Sequence, residues 1–126
     1  MMIKLLLVGS GGFLGSISRY LVSGALYRIL EKPVFPYGTL AVNIIGCLLI
    51  GLLGGLSEQR QILSAEVRLL LMVGFLGGFT TFSTFGYELF IFARDGQILN
   101  SLINMALHVI LGFAAVWFGF VISRTI

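Results

Sequence analysis

Residues 74–88 read GFLGGFTTFSTFGYE, and the reading of this stretch decides the fold. It lies inside an apolar run, where a polar atom without a partner is costly. Yet it holds Gly74, Gly77, Gly78 and Gly86, the hydroxyls of Thr80, Thr81, Ser83 and Thr84, and four Phe. The adjacent Gly77 and Gly78 each weaken a helix by about 1 kcal/mol relative to Ala. In lipid, non-helical backbone persists only where it is buried in protein or lines a water-filled space. A helix running through this stretch is therefore expected to break at 77–80, either as a tight packing point or as part of an ion path. Beyond the break, Phe79, Phe82 and Phe85 recur every three residues and Thr80 and Thr84 stand four apart. That spacing predicts an aromatic row beside a hydroxyl row.

The rest of the chain supplies the setting. Its 126 residues are 58% hydrophobic and 10% charged, with a mean hydropathy of +1.06. A soluble domain carries about 25% charged residues. A chain this short has too little interior to hide so much apolar surface from water, so its solvent is a lipid bilayer. A spanning helix needs about 20 apolar residues. Four segments of that kind fit, at 3–27, 37–57, 66–94 and 97–123. The expectation is one domain over 1–126: all-α, integral to the membrane, with four transmembrane helices and the third broken. The single Cys47 rules out a disulfide within one chain. Residues 1–25 read as a retained helix and not as a leader, because Arg19 interrupts them and GSGGFLGS makes them Gly-rich. The net charge of +3 comes mostly from basic residues at loops and helix ends, and no nucleic-acid partner is expected.

In the first helix Gly9, Gly12 and Gly15 imitate a dinucleotide-binding fingerprint. That motif needs a strand before it and a soluble βαβ unit around it, which the chain does not offer. Gly11-x-x-x-Gly15 and Gly12-x-x-x-Ser16 instead make a face on which another backbone packs closely. Arg19 on the same helix is either a snorkelling or salt-bridged group near the interface, or a positive charge in an aqueous vestibule that attracts anions; the two roles are compatible. In the second helix Thr39 and Asn43 share a face. Asn43 either makes an interhelical hydrogen bond or offers its amide N–H to a permeating anion. Gly51-x-x-x-Gly55 is a further close-packing face. Ser64 suits an N-cap and Glu66 the first turn after it. Glu88 is expected to pair with a basic group or to reach the interface. In the fourth helix Asn100, Asn104, His108 and Gly112 line up on one face, and His108 reads as a hydrogen-bonded group more than a proton relay.

Four crossings put both termini on one side. Lys4, Arg60, Arg68 and Arg124 then fall on that side, and Arg28, Lys32 and Arg94 on the other. Lys and Arg asymmetry normally sets orientation, and here it is almost absent. The chain is therefore expected to insert both ways and to form an antiparallel, dual-topology homodimer.

Three stretches resemble the CrcB/Fluc fluoride channels: GTLAVNIIG at 38–46, GFLGGFTTFSTF at 74–85 and GSISRYL at 15–21. With the four-helix length, the resemblance covers essentially the whole chain. It implies passive fluoride efflux through an antiparallel dimer with two pores, in a multi-pass protein of the bacterial inner membrane. It implies that Asn43 donates to fluoride and that Phe82 and Phe85 line the path. It also implies a central structural Na⁺ held by backbone carbonyls of Gly77 and Thr80 from both subunits. Hard oxygen ligands suit a hard cation. Phe rings have a positive edge that attracts a small anion. Some members carry hydroxyl residues on the pore side of the fourth helix, where this chain has Asn104, His108 and Gly112. Thr81, Ser83 and Thr84 are candidates to replace them.

No Ser–His–Asp set, side-chain metal cluster or phosphate loop points to catalysis. The rival reading is a small dual-topology, proton-coupled exporter resembling the small multidrug resistance transporters. Their chemistry needs a carboxylate deep in the first helix. Here that helix carries Arg19 and no acid before Glu31, so the charge favours an anion.

Overall fold

The computed structural model describes residues 1–126, and all of its regular structure is helical. Helix α1 covers Met2–Ile29 and α2 covers Tyr37–Gly55, the latter continuing through a π-type turn, Leu56–Arg60. The third span, Ala65–Arg94, has three parts. Residues 65–79 (α3) wind as α-helix, then a wider π-type stretch at Leu69–Phe75, then α-helix again at Leu76–Phe79. Thr80 and Thr81 follow with extended backbone, at φ −85°, ψ 160° and φ −149°, ψ 118°. Phe82–Arg94 (α4) completes the span. Helix α5 covers Ile98–Ile122.

All four spans are long and apolar enough to cross a membrane. In hydrocarbon each backbone polar group must find a partner inside the protein, which is why the chain is helical nearly end to end. Local signals set the ends. Ser64 accepts a hydrogen bond from the Val67 N–H at 3.3 Å and so starts α3. Thr81 accepts one from the Thr84 N–H at 3.3 Å and so restarts helix as α4. Gly96 takes φ +76° in the tight turn to α5, where residues with a Cβ are strained.

Two helix pairs carry the packing: α1 against α3, and α2 against α5. Both depend on close backbone approach. A Cβ on Gly15 would run into the Phe75 carbonyl of α3. A Cβ on Gly51 would strike the Val116 carbonyl of α5, and one on Gly119 the Leu48 carbonyl of α2. The apolar residues Val42, Leu76, Phe79 and Phe92 fill the small core between the pairs. Only 16 of 126 residues are buried, so most large apolar side chains, Phe13, Phe113 and Trp117 among them, face outward as lipid contact demands.

The extended pair overturns the expected single aromatic row. Three-residue spacing aligns side chains only on continuous helix. Phe79 belongs to α3 and is buried, stacked on Phe75 with ring centroids 5.7 Å apart. Phe82 opens α4 and is 83% exposed, with Phe85 as its ring neighbour at 5.9 Å.

Candidate functional site

The two extended residues expose backbone groups in mid-span, and two side chains from other helices take them up. Asn43 of α2 does most. Its Oδ1 accepts from the Thr81 N–H at 2.8 Å, and its Nδ2 donates to the Thr81 carbonyl at 3.0 Å. This replaces the helical bond that the Thr81 N–H would otherwise make to Gly77. Arg19 of α1 donates from Nη1 to the Thr80 carbonyl at 3.0 Å. The Thr80 hydroxyl donates back to the Leu76 carbonyl at 2.9 Å. A guanidinium thus sits within the spans with no carboxylate partner, held by a main-chain oxygen. Nothing in the sequence links positions 19 and 80.

Two cavities flank this crossing point. The first, of 440 Å³, lies at mid-span and is lined by Asn43, Thr80, Thr81, Phe82, Phe85 and His108 together with apolar residues of α2, α3 and α5. Its walls are mostly hydrocarbon, and the polar groups converge at one end. The second, of 640 Å³, opens beneath the connection at 30–36 and is lined by Ser16, Arg19, Thr39, Thr81, Thr84 and Glu88 among others. Thr81 borders both cavities. A small ion moving between them would pass the Thr81 backbone and the Asn43 amide.

In the second cavity the Thr39 hydroxyl donates to Glu88 Oε1. Glu88 is half-buried and has no basic partner within the chain, so the expected pairing with a basic group is not made there. Asn104 of α5 is fully buried with its side chain against that carboxyl, and neither amide atom reaches a well-formed hydrogen bond. Glu88 Oε2 is also without a partner. Unpartnered buried polar atoms are rare in folded proteins, and they cluster here at one level of the bundle.

His108 connects α5 to the crossing point. Its Nε2 lies 3.1 Å from Asn43 Nδ2, and its Nδ1 lies 3.0 Å from the Asn104 carbonyl. Phe85 packs against the imidazole with ring centroids 4.1 Å apart. The structure therefore brings Arg19, Thr39, Asn43, Thr81, Thr84, Phe82, Phe85 and His108 to the linings of these two cavities. Ser83 is exposed and lines neither cavity. Gly77 is exposed, and a Cβ there would touch nothing within 4 Å. No three His, Cys, Asp or Glu side chains converge as metal ligands. A cation held by one chain would depend on backbone oxygens. The Gly77 carbonyl is free of the Thr81 N–H, and the Thr80 carbonyl keeps one lone pair beside the Arg19 bond.

Comparison with known proteins agrees in scope with this architecture. Residues 6–120 match the family described as CrcB-like protein, Camphor Resistance (CrcB). The chain is 45% identical over 120 residues to a protein of Chlorobium phaeobacteroides named fluoride-specific ion channel FluC, covering 95% of this chain and 92% of the relative. A protein of the same name from Maridesulfovibrio salexigens is 45% identical over 123 residues, covering 98% and 97%. One from Geobacter sulfurreducens is 42% identical over 123 residues, covering 98% of each chain.

Proposed function

The chain belongs to the CrcB-like family, and from that premise we infer its work: it is a multi-pass membrane protein and a fluoride-specific ion channel, not an enzyme. One observation carries the reading into this molecule. Two cavities share Thr81, and between them their linings hold a guanidinium, hydroxyls, an amide and two Phe rings.

Flow is passive in this account. Arg19 gives the second cavity a fixed positive charge that draws anions. Thr39 and Thr84 supply hydroxyls there, and Asn104 backs the carboxyl side of the wall. Thr81, with Asn43 bonded to it, forms the narrow point. Phe82 and Phe85 then present ring edges, which attract fluoride weakly enough to release it. Export of fluoride from the cytoplasm across a bacterial inner membrane follows from a pathway of this kind, since the membrane potential drives anions outward.

The working unit is an antiparallel, dual-topology homodimer. The near absence of Lys and Arg bias supports insertion both ways. The exposed Gly77 supports a second chain at this face, because nothing in its own chain approaches it. With Gly77 and Thr80 carbonyls from two subunits, a structural Na⁺ would have four hard oxygen ligands and would tie the subunits together. Single cysteines introduced into the 30–36 connection should be labelled from both sides of the membrane in intact cells. Labelling from one side only would contradict dual topology.

Two flux results follow. Purified protein in vesicles should release fluoride and retain chloride with no proton gradient present. Fluoride release that requires a proton gradient would favour the coupled exporter, with Glu88 as its carboxylate. Phe82→Ile should slow fluoride efflux by roughly tenfold while the protein still assembles, because it keeps bulk and removes the ring edge. Unchanged efflux would take Phe82 off the path.

A further inference from the structure

The hydrogen bonds around Asn43 fix the protonation of its neighbour. Oδ1 accepts from a backbone N–H, so Nδ2 is the amide's donor end, with one hydrogen on the Thr81 carbonyl and the other toward His108 Nε2. Nε2 must therefore accept. The carbonyl of Asn104 can only accept, so His108 Nδ1 carries the proton. The imidazole is neutral in this arrangement, and both amide hydrogens of Asn43 are already used. No N–H of Asn43 is left for an anion.

We propose that His108 is a proton-responsive anion-binding residue: when charged, it releases Asn43 and joins it as a second donor to fluoride in the mid-span cavity. A proton on Nε2 would face the Asn43 amide donor to donor, which breaks the bond between them. Both N–H groups then point into the cavity that they line together. An anion between them satisfies both. Phe85 lies against the imidazole with ring centroids 4.1 Å apart and planes tilted by 33°, near enough for a cation–π contact once the ring is charged. The fourth-helix wall thus adds an ionisable donor to the path, and conduction rises as pH falls.

The other groups around the imidazole do not substitute for it. From α2 they are Asn43 and Cys47, and from the third span Thr81 and Phe85. Glu88 lies beside Asn104, one turn along α5, and Arg19 is held on the Thr80 carbonyl. Only Asn43, the Asn104 carbonyl and Phe85 contact the ring in a defined geometry.

The proposal rests on the cavity being the fluoride path, and its test separates the two. Fluoride efflux from vesicles is measured at equal internal and external pH, with protein-free vesicles correcting for hydrogen fluoride that crosses lipid. The wild-type rate should rise by roughly threefold or more between about pH 8 and about pH 4.5, a range that extends well below the ordinary imidazole titration. H108Q, whose side-chain oxygen still accepts from Asn43, should give a flat profile, while E88Q should keep the rise. A wild-type rate that is substantial but flat, or an equal rise in H108Q, overturns the proposal and leaves the channel intact. The chain has a single His, so its imidazole nitrogen NMR signals need no assignment. Fluoride should increase the charged fraction at fixed pH, since the coupling is reciprocal. If no fluoride passes at any pH, the channel reading fails, and an imidazole signal that ignores fluoride then overturns this proposal as well.

Discussion

Asn43→Ala is expected to cut fluoride efflux by tenfold or more. The side chain is the only partner, among side chains, of both Thr81 backbone groups at the point where the two cavities meet. Its loss leaves a donor and an acceptor unpaired in mid-membrane, and each such group costs about 1–3 kcal/mol. The extended pair at Thr80–Thr81 then relaxes toward whatever bonding it can find, and the width of the passage is lost with it. The same truncation removes the amide N–H that His108 holds and would free for an anion once charged. Efflux from vesicles checks the rate, and unchanged flux would reduce Asn43 to a packing role. Asn43→Asp is a useful companion. It can still accept from the Thr81 N–H but has no donor for the Thr81 carbonyl, and its negative charge opposes fluoride.

Gly15→Leu is expected to abolish the folded bundle, not to slow it. The new Cβ would collide with the carbonyl carbon and oxygen of Phe75 and with the Phe79 N–H, all backbone atoms that cannot rotate away. Overpacking between side chains costs about 1–3 kcal/mol, and backbone against backbone leaves less room for repair. Helix α1 must lift off α3. Arg19 stands one turn along the same face, so its bond to the Thr80 carbonyl goes too. Size-exclusion chromatography in detergent should give aggregate and no symmetric peak. Gly9→Leu is the matched control, because nothing approaches Gly9 within 4 Å, and it should retain the peak. A normal peak for Gly15→Leu would mean that α1 does not pack on α3 as described.

The four apolar helices were legible in the sequence because lipid leaves so few alternatives. Composition excludes water as the solvent, and the bilayer then dictates helix length and backbone bonding. The glycine face at Gly11 and Gly15 was equally plain, since close helix approach in membranes demands small residues. Gly119, which does the same for α5, sits in an aromatic-rich stretch with no second glycine three or four positions away to mark it. The pairings across helices were not legible at all. Arg19 and the Thr80 carbonyl are 61 residues apart, and Asn43 and His108 are 65 apart. Periodicity reports which residues share a face of one helix, not which faces meet. The aromatic row failed for a related reason: the count of three runs through Thr80 and Thr81, where the backbone is extended and helical spacing has no meaning.

The most direct test of the central claim is the reversal potential of the current in planar bilayers containing the purified protein. With fluoride gradients imposed and chloride as the alternative anion, the current should reverse at the fluoride equilibrium potential and should not move when a pH gradient is added. A reversal that follows the chloride gradient would contradict selectivity. One that shifts with the proton gradient, or an absence of any current, would contradict passive conduction.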